Sequence, residues 1–256
     1  MGGGGFTTGE RNAALDRHVL ALTGKPIPKI CFIPTASGDT RELVLRFEER
    51  FGSWPCEPTA LSLFHLDESR LDPRGHVLAQ DALYVGGGSM RNLLAVWSAH
   101  GIEEALRAAW ERGAVLAGVS AGAMCWFEGG ISRSGGAPAP LSGLGLLSGS
   151  LSVHLEGEPE RLPAYRQAVA SGELPAGYAA DDGAGLVFAG TQVEECVGSR
   201  AGARVVRVDP DGRGGTVETE LPVRLLGATE RHWRRLAEAE AISELRELRA
   251  GRDRWD

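Results

Sequence analysis

The sequence predicts an α/β protein built on a doubly wound, mostly parallel β-sheet with helices on both faces. Three observations support this prediction. Short apolar runs alternate with segments of helical periodicity over the first two-thirds of the chain, and the connections between them are short. One apolar run also ends in a turn of small residues around a serine. Alternating strands and helices with short connections are typical of parallel sheets covered on both faces.

The first strand and helix of this pattern lie between residues 29 and 52. Lys29–Pro34 is an apolar run that predicts a buried strand. Asp39–Glu42 predicts a helix start, with its first residue as the N-cap and its last as the acid of a capping box. Apolar residues then recur every fourth position over Leu43–Phe51, and Gly52 ends the predicted helix.

Two further strands precede the serine turn. Ala60–Phe64 and Ala82–Val85 are the candidates, and the second one breaks at three glycines, Gly86–Gly88. Apolar residues at helical spacing over Ile102–Trp110 predict an amphipathic helix. The next strand, Ala114–Gly118, follows directly and leads into the turn.

The pattern changes after about residue 140, where short strands and turns replace the helices. Asp209–Gly212 is a strong hairpin signal, and residues 229–249 have the composition of a surface helix. Since no linker interrupts the sequence, we expect a single α/β domain over residues 1–256, with 222–256 as an appended surface helix. Three short strands are predicted in this part: Gly183–Val187, Val193–Val197 and Arg204–Val208.

Composition excludes several classes of partner. The chain has 256 residues, a formal net charge of −7 and a pI of about 5.5. This acidic balance argues against nucleic-acid binding and against an anionic membrane surface. Four widely spaced cysteines predict reduced thiols, and the sequence shows neither a secretion signal nor a membrane-spanning run. We therefore expect a cytoplasmic protein.

One acidic loop resembles a calcium site. Asp209, Asp211, Gly214 and Glu220 have the spacing of a calcium-binding loop, but Arg213 stands where a further ligand is needed. The flanking segments also read as strands, so we interpret this loop as a hairpin. Paired histidine and cysteine spacings for a transition metal are absent from the sequence. We expect neither a metal nor a cofactor.

The serine turn carries the strongest chemical signal. Gly118–Gly122 has the form Gly-x-Ser-x-Gly, with Ser120 at its centre and an apolar strand before it. Such a strand-to-helix turn is a nucleophile elbow, in which only very small neighbours fit beside the exposed serine. The motif also occurs by chance, and the alternative is a buried strand followed by an ordinary turn of small residues.

A serine nucleophile needs a base, and two histidines follow Ser120 in the sequence. His232 belongs to the charged C-terminal segment and is expected at the surface. His154 lies within the strand-like run Leu151–Leu155, where a polar residue requires a specific role. A half-buried structural histidine is the alternative, but beside an elbow serine we favour His154 as the base.

Three acids compete to orient His154. Glu156 would share a strand face with it, as in a His-x-Glu pair. Asp181 and Asp182 form an acidic pair before an apolar strand, and such a pair is most often a turn or a helix cap. A loop at that strand edge could nevertheless bring the Asp182 carboxylate close to Ser120 and His154. The residues alone therefore do not decide which of the three acids orients His154.

An oxyanion hole needs two donors near Ser120. The turn aims the N–H of Ala121 at a bound carbonyl. Val85–Ser89 contains three glycines at the end of a predicted strand, which puts it on the same sheet edge as Ser120. A phosphate-binding loop is the alternative, but neither Gly-x-Gly-x-x-Gly nor a following lysine is present.

At this point the chain resembles the peptidase E family of serine peptidases, over roughly residues 2–200. The resemblance implies a flavodoxin-like fold of the class I glutamine amidotransferase type. It also implies Ser120 as nucleophile, His154 as base and the N–H groups of Gly88 and Ala121 as the oxyanion hole. The related cyanophycinases carry an Asp-Glu pair in the later acidic segment, which ranks Asp182 first, Glu156 second and Asp181 third. The residues that carry the resemblance are Gly2–Gly5, Phe32–Ser37, Tyr84–Gly88, Gly118–Ala123, His154 and Tyr178–Gly183.

The resemblance also implies a small peptide substrate and no cofactor. Well-known members remove an N-terminal aspartate, and a bidentate arginine would bind its carboxylate. Arg161 is the candidate, Arg133 is a weaker one, and an exposed loop arginine is the alternative for Arg161. The remaining readings are a cyanophycinase-like hydrolase of β-aspartyl-arginine linkages and a non-catalytic peptide-binding relative. The sequence does not decide whether the protein forms a homodimer.

Overall fold

The computed structural model describes residues 1–8, 12–66 and 71–227. Its centre is a four-stranded, all-parallel sheet with the strand order β2-β1-β3-β4. β1 and β3 are almost entirely buried, as expected for apolar strands covered on both faces. The strands of this parallel sheet are β1 (Lys29–Ile33), β2 (Glu57–Ala60), β3 (Ala82–Val85) and β4 (Val115–Gly118).

Helices cover both faces of the parallel sheet, so the predicted doubly wound α/β class is confirmed. Two 3-10 turns, Gly5–Thr8 and Thr35–Ser37, accompany them. The α-helices are α1 (Ala14–Leu22), α2 (Arg41–Phe51), α3 (Pro73–Leu78), α4 (Met90–His100), α5 (Ile102–Glu111), α6 (Ala121–Met124) and α7 (Arg161–Ala170).

Side chains alternate between two buried clusters along each central strand. On one face Phe32 and Tyr84 pack with Phe6 of the first 3-10 turn, with the rings of Phe47 and Phe51 in α2, and with apolar side chains of α1. The opposite face of β1 and β3 packs against α4 and α5. Alternation with period two places successive residues of one strand in different clusters, which is why the strands show no polar face.

A second, six-stranded sheet is mixed. Its order is β12-β11-β8-β7-β5-β6, in which β7 pairs in parallel with β5 and β8 while the other pairs are antiparallel. A third sheet has the order β13-β10-β9. Their strands are β5 (Phe127–Ser132), β6 (Ala139–Ser142), β7 (Leu147–Val153), β8 (Gly177–Ala180), β9 (Ala184–Ala189), β10 (Gln192–Gly198), β11 (Val205–Pro210), β12 (Thr216–Leu221) and β13 (Val223–Leu225).

The predicted strand Ala60–Phe64 is wrong, because β2 ends where that run begins. The buried Asp39 carboxylate accepts hydrogen bonds from the Ser62 hydroxyl and the Phe64 N–H, and this turns the chain away from the sheet. The same contacts overturn the N-cap prediction for Asp39. Thr40 occupies the N-cap of α2 and makes no side-chain capping bond.

The later strands and the hairpin were predicted correctly, within a few residues at their ends. β11 and β12 form the expected antiparallel hairpin, and Asp211 Oδ1 accepts the N–H groups of Arg213 and Gly215 in its turn. Residues 223–225, inside the range 222–256 assigned to an appended helix, instead form β13 beside β10. The predicted helix over 229–249 lies outside the described residues. Within the described ranges, no helix is long and apolar enough to cross a membrane.

Candidate active site

Ser120 lies between β4 and α6 with φ 54° and ψ −117°, a backbone conformation that residues other than glycine rarely adopt. The turn is closed by glycines on both sides. A β-carbon on Gly118 would lie 1.9 Å from the Gly122 carbonyl oxygen, and one on Gly122 would lie 2.3 Å from the Val85 carbonyl oxygen. The predicted elbow is therefore present, and sterics explain its small residues.

His154 reaches this serine from the mixed sheet. It directly follows β7, also at positive φ (56°), and its Nε2 lies 2.9 Å from Ser120 Oγ. The turn after it is tied down, since the Leu155 N–H donates to the Ala180 carbonyl and the Glu158 N–H to the His154 carbonyl. The structure thus brings the two predicted residues into hydrogen-bonding distance from different sheets.

Asp182 is the third residue in this hydrogen-bonded series, after Ser120 and His154. It follows β8, the parallel neighbour of β7, and its Oδ1 lies 2.5 Å from His154 Nδ1. The hydrogen bond with His154 lowers the pKa of Asp182 below its usual value, against the opposing effect of burial, and the charge of Arg200 helps. Asp182 is therefore ionised at neutral pH and can accept the Nδ1–H of the imidazole.

The two alternative acids have other partners. Asp181 is fully buried and accepts the backbone N–H groups of Glu156 and Arg204, each at 3.0 Å. Burial raises the pKa of its carboxyl, although those N–H groups oppose the rise. The Glu156 carboxylate lies 3.4 Å from Arg200 and 3.6 Å from Arg204. These groups brace the loop that presents Asp182.

The glycine loop after β3 lies against the nucleophile. Gly88 has φ 139°, and a β-carbon there would lie 2.1 Å from the Ala36 carbonyl oxygen. One on Gly87 would lie 3.3 Å from Ser120 Cβ. Within the described ranges, neither the Gly88 N–H nor the Ala121 N–H donates to a protein acceptor. Both donors are thus unengaged by the protein, and their role as the oxyanion hole stays a prediction.

Residues 1–3 form part of the site, which reasoning from the sequence missed. The Met1 amine donates to the Gly118 carbonyl at 3.0 Å, and the Met1 carbonyl accepts the Ser120 N–H at 3.1 Å. Gly3 pairs with Asp182 on the opposite side. The run of glycines at residues 2–5 could have indicated this close approach, because a β-carbon on Gly3 would lie 2.1 Å from Asp182 Oδ1.

Arg161 is buried rather than an exposed loop arginine, with 4% of its surface accessible. Its Nε and Nη2 donate to Glu158 Oε2 at 3.1 and 2.9 Å, and its Nη1 donates to the Ile131 carbonyl at 2.6 Å. Burial alone would raise the pKa of Glu158, but the Arg161 hydrogen bond and charge outweigh it and lower that pKa. Arg133 reaches the same Glu158 oxygen at 3.4 Å with nearly half of its side chain exposed.

The geometry matches the requirements of nucleophilic acyl transfer. Ser120 Oγ can donate its proton to His154 Nε2, while Asp182 holds the imidazole by its other nitrogen. The residues that the structure describes contain no group of three or more His, Cys, Asp or Glu side chains able to hold a metal ion.

Comparison with known proteins identifies the family of this chain. The sequence matches the family described as Peptidase family S51 over residues 1–196. It is 45% identical to the uncharacterized peptidase YgaJ of Bacillus subtilis (strain 168), over 89% of this chain and 97% of that protein. A crystal structure of a peptidase from an acI-B1 Actinobacterium has a TM-score of 0.64 at 17% identity, over 87% of this chain and 92% of that one, and shows the same fold. The match over most of the chain confirms the expected family: this chain belongs to peptidase family S51, a family of serine peptidases.

Proposed function

We propose that this serine peptidase hydrolyses short peptides through an acyl-enzyme on Ser120. The observation that carries the proposal is the line from Ser120 Oγ to His154 Nε2 (2.9 Å) and from His154 Nδ1 to Asp182 Oδ1 (2.5 Å). Those contacts supply a nucleophile, its base and the acid that fixes the imidazole tautomer. The positive φ at Ser120 and at His154 supports it, because such strain is kept where the backbone must present a reacting group.

The steps follow the positions of these groups. Ser120 Oγ attacks the scissile carbonyl as its proton passes to His154 Nε2. The N–H groups of Gly88 and Ala121 stabilise the negative oxygen of the tetrahedral intermediate. His154 then gives the proton to the leaving amine, and water, deprotonated by His154, hydrolyses the acyl-enzyme on Ser120.

We further propose that the preferred substrates carry an N-terminal aspartate. A cluster formed by Arg133, Glu158 and Arg161 holds two positive charges and one negative charge, which leaves a surplus positive charge for a substrate carboxylate. The cluster lies close to the site, since the Glu158 N–H donates to the His154 carbonyl at 3.0 Å. Arg161 is buried and held by Glu158 and the Ile131 carbonyl, whereas Arg133 is nearly half exposed and makes two longer hydrogen bonds, at 3.4 Å to Glu158 and 3.3 Å to the Gly136 carbonyl. Arg133 is therefore the member that can turn toward the substrate.

The test is a hydrolysis screen of di- and tripeptides that vary in the N-terminal residue, with α-linked and β-linked aspartyl peptides included. We expect turnover by the wild type and a loss of at least about 10⁴-fold in Ser120→Ala. Ser53→Ala, at an exposed serine beyond α2, is the matched control and should keep full activity. Equal activity of Ser120→Ala and wild type would contradict the acyl-enzyme.

Substrate preference is tested with the same peptides. We expect Arg133→Met to lower kcat/KM for Asp-Xaa peptides about tenfold or more, with little change for neutral peptides, because one charge-assisted contact is lost. Preference for another N-terminal residue would overturn the aspartyl proposal and leave the mechanism standing. Cleavage of only β-linked Asp-Arg would point to a cyanophycinase-like hydrolase. No cleavage, together with no labelling of Ser120 by a fluorophosphonate, would point to a binding protein.

A further inference from the structure

The segment 181–183, which presents the Asp182 carboxylate, packs against the turn 199–204 between β10 and β11. Main-chain hydrogen bonds hold both ends of this segment. Because backbone groups make these bonds, they do not depend on which side chains occupy the turn. The bonds run from the Asp181 N–H to the Arg204 carbonyl at 3.0 Å and from the Ser199 N–H to the Gly183 carbonyl at 2.7 Å.

The middle of the segment is held by a side chain instead. Arg200 Nε donates to the Asp182 carbonyl at 3.0 Å, and among the described residues no other donor contacts this oxygen. The Nη2 of the same guanidinium lies 3.4 Å from Glu156 Oε2. A guanidinium is planar, so two such contacts fix its direction. The orientation of the Asp182 main chain therefore depends on the identity of residue 200.

The peptide unit after Asp182 needs such a restraint, because the next residue is a glycine. Gly183 has φ 80°, and a β-carbon there would lie 3.2 Å from Arg200 Cγ. The missing side chain makes room for Arg200 but also leaves the peptide freer to rotate. Its N–H donates to the Gly3 carbonyl at 3.0 Å and its carbonyl accepts from Arg200, so the peptide is held from both sides. Rotation of this peptide would move the Asp182 carboxylate away from His154.

Arg200 has two properties that could act on Asp182, its charge and its Nε–H. The hydrogen bond with His154 is the main cause that lowers the pKa of Asp182, and the charge of Arg200 is a smaller one. Solvent screens this charge, because 45% of the Arg200 side chain is exposed. The charge is also shared with the carboxylates of Glu156 and Asp181, which lie 3.4 and 4.0 Å away. The direct hydrogen bond is therefore the stronger influence.

We propose that Arg200 is a positioning residue, whose Nε–H holds the Asp182 carbonyl and so aims the Asp182 carboxylate at His154. This inference rests on the proposed function, in which Asp182 fixes the imidazole tautomer. A misdirected carboxylate would weaken the 2.5 Å contact with His154 Nδ1. The transition state, in which the imidazole becomes charged, would lose more by this than the bound substrate. Loss of the Arg200 contact should therefore lower kcat and change KM little.

Three substitutions separate the donor from the charge. Arg200→Gln places a neutral N–H donor at the position of Nε, Arg200→Lys keeps the charge but has a carbon there, and Arg200→Met has neither. We expect the Met and Lys variants to lower kcat about tenfold with KM within about twofold, and the Gln variant to stay within about threefold of wild type. Arg224→Met is the matched control, because Arg224 is equally exposed and paired with Glu195, and it should keep full activity.

A second measurement does not require turnover. In proton NMR of the free protein, the His154 Nδ1–H should exchange slowly with solvent in wild type and in Arg200→Gln. We expect faster exchange in Arg200→Lys and Arg200→Met, because the acceptor of this proton is then misaligned. These differences in a wild type that hydrolyses no peptide would reject the proposed function and keep the positioning role.

Two results would overturn the proposal. Full kcat in Arg200→Lys with a loss in Arg200→Gln would show that the charge acts and the Nε–H does not. Equal kcat and equal Nδ1–H exchange in wild type and all three variants would show that Arg200 does not position Asp182. The comparison between the Gln and Lys variants decides the matter even if Arg200→Met fails to fold.

Discussion

The two halves of the candidate site are held by different physical means. The half from the parallel sheet, with Ser120 and the glycine loop, is fixed by backbone contacts that leave no room for a β-carbon. The half from the mixed sheet, with His154 and Asp182, is fixed by charges and hydrogen bonds around Asp181. Steric contacts therefore fix the position of the nucleophile, whereas charges and hydrogen bonds fix the positions of the base and the acid. Substitutions in the first half should mainly reduce stability, and substitutions of the catalytic groups in the second half should mainly reduce activity.

The largest effect is expected from the neighbouring pair Asp181 and Asp182. Asp182→Asn should lower kcat by about 10³- to 10⁴-fold with little change in Tm, because the imidazole loses the acceptor that fixes its tautomer. Asp181→Asn should instead cost about 1–3 kcal/mol of stability, because two buried N–H groups lose a charged acceptor. Single-turnover kinetics and denaturant unfolding separate the two outcomes. Equal loss of kcat in both variants would show that the two carboxylates act as one unit.

The parallel-sheet half should fail by unfolding. Gly118→Ala should cost about 4 kcal/mol or more, because its β-carbon would lie 1.9 Å from a carbonyl oxygen in the Gly122 peptide. Gly227→Ala is the matched control, since its β-carbon meets no atom of the described residues within 4 Å, and it should change stability by less than about 0.5 kcal/mol. Unfolding in urea measures both. A stable, inactive Gly118→Ala protein would show that the elbow can relax and that strain there is not structural.

The smallest effect is a pH dependence with opposite signs at the two aspartates. The folded-state pKa of Asp182 is lowered, so its contribution to stability is present above pH 3.8 and is lost as pH falls through the folded value. The folded-state pKa of Asp181 is raised, so its contribution is largest below pH 3.8 and declines as pH rises through the folded value. As pH rises toward 3.8, the stability advantage of wild type over Asp182→Asn should therefore grow, and as pH rises above 3.8, its advantage over Asp181→Asn should shrink. If the free energy of unfolding of both variants changed with pH in parallel with that of the wild type, the two aspartates would not lie in environments that shift their pKa values in opposite directions.

The sequence predicts the parallel-sheet half well because its constraints are local. An apolar strand, two glycines and a serine within five residues suffice to predict the elbow at Ser120. His154 directly follows β7 and Asp182 lies two residues after β8, and adjacent parallel strands end at the same sheet edge, so the sequence could indicate that both side chains approach the site. The resemblance to a known family chose among the three acids, which the residues alone left open.

Other features depend on contacts between distant segments, and local patterns do not reveal them. Asp39 has the sequence context of an N-cap, yet its carboxylate binds the loop at Ser62 and Phe64. Arg161 lies in a polar, loop-like stretch, yet it is buried against Glu158 and the Ile131 carbonyl. In both cases a tertiary partner overrides the local preference, and only the folded chain shows which partner is near.

The ties made by the first three residues have a consequence for the order of assembly. Met1 contacts the nucleophile turn 117 residues away, and Gly3 pairs with Asp182, so these residues have partners that are synthesised much later than themselves. Contacts so distant in sequence form late in folding, because loop closure must be completed before they stabilise anything. A growing chain would thus fix the Ser120 turn only after residue 120, and Asp182 only after residue 182, had folded against residues 1–3. Assembly order would in this way keep an unfinished peptidase inactive.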